Sequence, residues 1–160
     1  MMLAQNLVAP MDYPGSHRFA RIASQYEYMP QVTPGVIRVL IAGDHACLRA
    51  SLKTMLELDP RIRVVGEAAD DCETIKAARK LRPDVLLIDL DMKCCDHLDA
   101  LREITQRKLA QSVVALSIHD DQEGRAEAQA AGANVILEKG VPYRQLINAI
   151  RLASANSLPR

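Results

Sequence analysis

Arg82-Pro83-Asp84-Val85-Leu86-Leu87-Ile88-Asp89-Leu90-Asp91-Met92 holds four consecutive aliphatic residues followed by acids. Val85 to Ile88 has the composition of a fully buried strand, and such a strand belongs in a parallel sheet covered on both faces. It is the third of its kind in the chain. Upstream, Val36-Ile37-Arg38-Val39-Leu40-Ile41-Ala42 is a β-branched, mostly apolar run, and Arg61 to Glu67 reads as a second strand. Downstream, Ser112 to Leu116 and Val135-Ile136-Leu137 supply a fourth and a fifth.

Helical segments alternate with these strands. Ala46 to Leu58 places Leu48, Leu52, Met55 and Leu56 on one face and stops at Asp59-Pro60. Asp70 or Asp71 N-caps a second helix to Leu81, with Ile75, Ala78 and Leu81 inward. Leu98 to Gln106 forms a third. Asp121 to Ala131 is an alanine-rich fourth, ended by Gly132 as a left-handed C-cap. Its alanines bury little area per residue, which suits an element that shifts. Pro142 opens a fifth at its first position and buries Leu146, Ile147 and Ile150. Five strand-helix repeats predict an α/β fold, a doubly wound five-stranded parallel sheet with right-handed crossovers.

Composition bounds the function classes. The 160 residues suffice for one domain. Lys+Arg and Asp+Glu balance at 20 each, so the chain lacks the overall charge of a nucleic-acid binder. No stretch is long and apolar enough for a membrane span, and no secretory leader is evident. Cys47, Cys72, Cys94 and Cys95 lack zinc-site spacing and read as reduced thiols of a cytoplasmic protein. The adjacent Cys94-Cys95 has a second reading as a redox or soft-metal pair. Residues 1–35 carry four of the eight prolines and four of the five aromatics. They read as a flexible or loosely docked extension with room for a short helix at 16–26; the alternative is a natural start at Met29. The core domain then spans 36–155, with a tail at 156–160.

In an open parallel sheet, the functional site lies beyond the carboxyl ends of the strands. The polar residues there are Asp44 after strand one, Asp89 after strand three, Ser117 after strand four and Glu138-Lys139 after strand five. Carboxylates brought together repel unless a cation joins them. Two hard oxygen ligands with room for water suit Mg²⁺. A carboxylate beside Mg²⁺ can attack phosphorus and become an aspartyl phosphate, with the lysine and the hydroxyl binding the phosphoryl oxygens. The bland alternative is a surface ion pair between Asp44 and Lys139, with Ser117 a plain strand end.

From Ile37 to Asp44-His45, through Val64-Val65-Gly66-Glu67-Ala68-Ala69-Asp70, the acid-ended third strand, Ser117-Ile118-His119-Asp120-Asp121, Ala131-Gly132-Ala133 and Leu137-Glu138-Lys139, the chain resembles the response-regulator receivers. It looks closest to receivers that precede a LuxR-type DNA-binding domain, the NarL/LuxR type. The resemblance covers roughly residues 36–153. It implies a CheY-like, flavodoxin-like (βα)5 fold with strand order 2-1-3-4-5. It implies Asp89 as phosphoacceptor, Asp44 and Asp89 as Mg²⁺ ligands with the backbone carbonyl of Asp91 as another, Ser117 as the mobile hydroxyl and Lys139 as the phosphoryl-binding lysine. Implied partners are a histidine kinase or histidine phosphotransfer protein and a downstream protein target, met at the face of the fourth helix, fifth strand and fifth helix. Such receivers often form homodimers.

Four departures from that pattern stand out. Gly43 replaces the first of two adjacent acids, which should weaken the metal site, with the Asp91 carboxylate compensating through water. Met92-Lys93-Cys94-Cys95-Asp96-His97 lacks the usual proline and glycine of its loop. Ile136 stands where the family carries an aromatic switch. The chain ends at Arg160, whereas a LuxR-type output domain needs roughly 60 further residues, so the expectation is a stand-alone receiver signalling through protein contact, not DNA. A degenerate receiver acting as a phosphorylation-independent interaction or dimerisation module is the alternative. Asp89-Leu90-Asp91 also resembles the Asp-x-Asp motif of haloacid-dehalogenase-type phosphatases. Those enzymes place it on the first strand, so the chain is read as not an enzyme.

Overall fold

The computed structural model describes residues 35–93, 97–118 and 122–155, with His97 described in its backbone alone. The expected extension at 1–35 lies outside these residues except for Gly35. Cys94-Cys95, the start of the fourth helix and the tail at 156–160 lie outside them too.

The strands are β1 (Ile37–Ala42), β2 (Ile62–Ala68), β3 (Val85–Asp89), β4 (Ser112–Ser117) and β5 (Val135–Glu138). Between and after them run α1 (Ala46–Leu56), α2 (Asp71–Leu81), α3 (His97–Gln106), α4 (Gln122–Ala131) and α5 (Tyr143–Ala155). All pairings are parallel, in the order β2-β1-β3-β4-β5. The chain therefore winds in one direction through β2 and reverses at β1 and β3. That reversal opens a crevice at their carboxyl ends.

Period-two geometry splits each strand's side chains between two cores. Val39, Ile41, Val85, Leu87, Val114 and Leu116 meet Leu52 and Leu56 of α1 and Leu146, Ile147 and Ile150 of α5. On the other face Leu40, Leu86, Ile88, Val113 and Ala115 meet Ala78 of α2, Leu101 and Ile104 of α3, and Ala128 and Ala131 of α4. Asp70 caps α2, its Oδ1 accepting from Glu73 N–H at 2.8 Å. Gly132 has φ +115°, and a side chain there would collide with Thr105, so the expected left-handed cap is present.

Two expected boundaries shift. α1 ends at Leu56, before Leu58, because the backbone N–H groups of Glu57, Leu58 and Asp59 already close the last turn onto Lys53, Met55 and Leu56. Leu58 is left 71% exposed, so burial offers it no reason to stay helical. Pro142 precedes α5 rather than opening it: its carbonyl accepts from Gln145 and Leu146 N–H, the work of a cap.

Asp59 does more than stop a helix. It is 5% exposed, its Oδ1 accepts from Arg61 N–H at 3.0 Å, and Arg151 of α5 donates to Oδ2. Burial alone would raise its pKa; the Arg61 N–H and the Arg151 guanidinium outweigh that and hold it below the usual 3.8. A depressed carboxylate contributes stability above its unfolded pKa and loses it as pH falls through the folded value. Asp59→Asn should therefore cost about 1–3 kcal/mol in urea unfolding at neutral pH. The gap to wild type should hold down to about pH 5 and close at more acid pH. A gap independent of pH down to the acid range would show that charge is not what Asp59 contributes.

Candidate functional site

Asp89 closes β3 with its side chain 3% exposed. Lys139, the first residue past β5, places Nζ 2.5 Å from Asp89 Oδ1 and 2.9 Å from Asp91 Oδ2. Its backbone N–H donates to the carbonyl of Ser117 at the end of β4, at 2.9 Å, which fixes the register from which the side chain departs. Burial would lower the lysine's pKa, but hydrogen bonds and charge from Asp89 and Asp91 outweigh it, and the ammonium is held above its ordinary range. It stays charged at neutral pH, and the pairing would loosen only as pH rises through that raised value.

The other carboxyl oxygen, Asp89 Oδ2, is buried and has no hydrogen-bond partner among the described residues. A buried, unpartnered anionic oxygen is costly, and its persistence calls for a ligand. Asp44 lies beside it, past the end of β1. Lys93 N–H donates to Asp44 Oδ2 at 3.2 Å, and His45 Nδ1 stands 2.6 Å from Oδ1, close but not aligned as a hydrogen bond. Burial would raise the Asp44 pKa; the Lys93 bond and the His45 charge overcome it and keep the group below its usual range. Ligand atoms of Asp44, His45 and Asp89 all fall within 4.8 Å of one another. Two carboxylates, one of them carrying the orphaned oxygen, fit a hard divalent cation such as Mg²⁺.

Asp44, Asp89 and Lys139 thus meet in one crevice, with Asp91 beside them, and two details differ from expectation. Lys139 pairs with Asp89 and Asp91, not with Asp44, so the bland ion pair between Asp44 and Lys139 is overturned. The Asp91 carboxylate does not turn to the cation cluster. Its Oδ2 takes Lys139 and the Ile118 N–H at 2.8 Å, because those donors project from the neighbouring strand ends. Ile136 is 7% exposed within the core, and its carbonyl accepts from Arg125 at 3.2 Å.

Two neighbours went unnoticed in the sequence. His45 adds an imidazole to the cation cluster; its adjacency to Asp44 was the only signal. Arg49 of α1 donates from Nη1 to the Gly43 carbonyl at 2.5 Å and approaches Glu67 at 3.7 Å. A positive group stands beside the position where the first of the two acids is missing.

The family model for the response regulator receiver domain matches residues 39–151. The chain belongs to this family. It is 34% identical over 129 residues to the nitrate/nitrite response regulator protein NarP of Escherichia coli, covering 81% of this chain and 59% of NarP. It is 35% identical over 119 residues to the transcriptional regulatory protein LiaR of Bacillus subtilis, covering 74% of this chain and 56% of LiaR. The match thus spans less than two thirds of each of these relatives. Among solved structures, the response regulator domain of Thermotoga maritima CheB superposes with a TM-score of 0.68 at 30% identity, over 75% of this chain and 97% of that one. The receiver domain of a putative response regulator NarL from Mycobacterium tuberculosis gives 0.71 at 25% identity, over 76% and 98%. The receiver fold with its 2-1-3-4-5 sheet, within two-component systems, is the architecture of this chain. No helix among the described residues is long and apolar enough to cross a membrane.

Gly43 is the departure that geometry can weigh. A Cβ there would sit 3.3 Å from Asp89 Cβ and 3.8 Å from Asp89 Oδ2, so the neighbours need give only slightly. Gly43→Asp should be accommodated and raise Mg²⁺ affinity about tenfold by adding one anion at close range. Isothermal titration of both proteins with Mg²⁺ measures this, and equal affinities would show that Gly43 does not limit the site.

Proposed function

We propose that Asp89 accepts a phosphoryl group from a histidine kinase or histidine phosphotransfer protein, and that the modified receiver acts by contact with a downstream protein. The observation that carries this reading is the division of labour at Asp89: one buried oxygen held by Lys139, the other unpartnered and facing the cation cluster. A carboxylate oxygen of Asp89 is the nucleophile. It forms the O–P bond as the P–N bond of a phosphohistidine breaks, and the departing imidazole nitrogen takes up a proton. Lys139 stays on the acceptor and neutralises charge as it builds on the phosphoryl oxygens. Asp44 and Asp89, with the Asp91 backbone carbonyl, would hold Mg²⁺, which supplies further neutralisation of the transferred group when bound. Ser117, at the end of β4, is the hydroxyl that would turn to the phosphoryl group.

The balanced overall charge favours a protein partner over nucleic acid. The proposal places this exchange in the cytoplasm, with homodimerisation as one route by which modification alters contacts.

The test is exposure of the full chain to acetyl phosphate with Mg²⁺, followed by intact mass. Wild type should gain one phosphoryl group and Asp89→Asn none. Lys139→Ala should still fold but be modified at least roughly a hundredfold more slowly, as expected when a charge-neutralising group is lost. No gain in wild type would redirect the reading to a phosphorylation-independent interaction module.

A further inference from the structure

Asp91 makes more contacts than a spare acid near a metal site requires. Its carboxylate is four-fifths buried, and a single oxygen, Oδ2, receives both Lys139 Nζ at 2.9 Å and Ile118 N–H at 2.8 Å. Its own N–H donates to Asp89 Oδ1 at 2.8 Å. One side chain therefore ties the loop after β3 to the first residue past β4 and to the first residue past β5. Lys139, one of these two donors, also holds Asp89. A phosphoryl group there would bring nearly two negative charges and three acceptor oxygens to that lysine. The unmodified protein already gives that lysine a second, internal anion.

We propose that the Asp91 carboxylate stands in for the phosphoryl group at Lys139, tethers the Ile118 N–H in the resting protein, and is displaced from both when Asp89 is modified. The inference rests on Asp89 being the phosphoacceptor. Lys139 carries one charge and cannot neutralise both a phosphoryl group and a carboxylate. It follows the higher charge, and Asp91, now repelled, leaves Ile118. The release frees the backbone at the end of β4.

A second observation gives this link a purpose. Ile136 has no aromatic ring to swing, sits buried in the core, and has its carbonyl held by Arg125. A route from Asp89 to the end of β4 that works through charge does not need a ring in β5. Asp91 is thus a positioning residue: it acts on the phosphoryl site by occupying Lys139 and Ile118.

Asp91→Asn separates charge from tethering, since the amide oxygen can still accept from Ile118 N–H while the repulsion is gone. In the full chain at saturating Mg²⁺, acetyl phosphate should modify Asp91→Asn roughly tenfold faster than wild type, the difference between a charged and a neutral hydrogen-bond partner for Lys139. Amide exchange at Ile118 gives the second readout. In wild type it should accelerate on phosphorylation. In Asp91→Asn it should stay slow in both states, and in Asp91→Ala it should be fast before any modification. Equal modification rates for Asp91→Asn and wild type, or an Ile118 amide unchanged by phosphorylation of wild type, would overturn the inference while leaving the phosphoacceptor intact. Failure of both wild type and Asp91→Asn to gain a phosphoryl group would overturn the phosphoacceptor and this inference with it. Should Asp91→Ala not fold, as circular dichroism would reveal, the Asn variant carries the test by itself.

Discussion

A carboxylate sealed at the end of a central strand must be compensated, and the ammonium that compensates Asp89 comes from the far edge of the sheet. Lys139 follows β5, and β4 lies between it and β3. The lysine's four-carbon stem is what lets its head reach Asp89 from there. That reach works only if β4 and β5 are paired in the register that sets Ser117 beside Glu138. The order of the strands and the packing of both helical layers serve to hold this one juxtaposition. A buried ion pair adds little net stability, since desolvation consumes most of the attraction. What it does here is fix one oxygen of Asp89 and leave the other without a partner among the described residues.

The surrounding charges are uneven. On the β4 and β5 side, Asp91 and Lys139 form a closed set with Asp89. On the β1 side, an acid is missing at position 43, and Arg49 and His45 stand close to what remains. The cation site therefore has fewer anions than its family pattern, while the lysine side has one more. Such a distribution leaves the resting state neutralised without a metal at Lys139 and still short of cation at Asp89 Oδ2.

The sheet and the strand-end residues were legible in the sequence because both follow from short-range pattern. Apolar runs such as Val85 to Ile88 mark strands, and the first polar residue past each one marks the crevice. What escaped notice depends on where long side chains turn. Nothing local says that Asp59 will meet Arg151, far along the chain, or that Arg49 will fold back on Gly43. Asp91 was visible as an acid near the acceptor, but its engagement with Ile118 depends on the spacing of two neighbouring strand ends, which only the assembled sheet defines. Helix boundaries shifted for a similar reason: Leu58 fits the periodicity of α1, yet it finds no core to enter and the helix ends before it.

The element best placed to respond is α4. Its buried residues are Ala128 and Ala131, whose methyl groups remove little area from water, so each holds the helix less firmly than a leucine would. By contrast α5 buries Leu146, Ile147 and Ile150. Arg125 links α4 to the Ile136 carbonyl of β5, and Ile118 lies at the end of the strand that leads toward α4. A change at Ile118 thus arrives where the packing resists least. A switch built this way needs no large rearrangement of the core. It needs one charge that binds the strand ends until a stronger charge replaces it, and a neighbouring helix anchored weakly enough to follow.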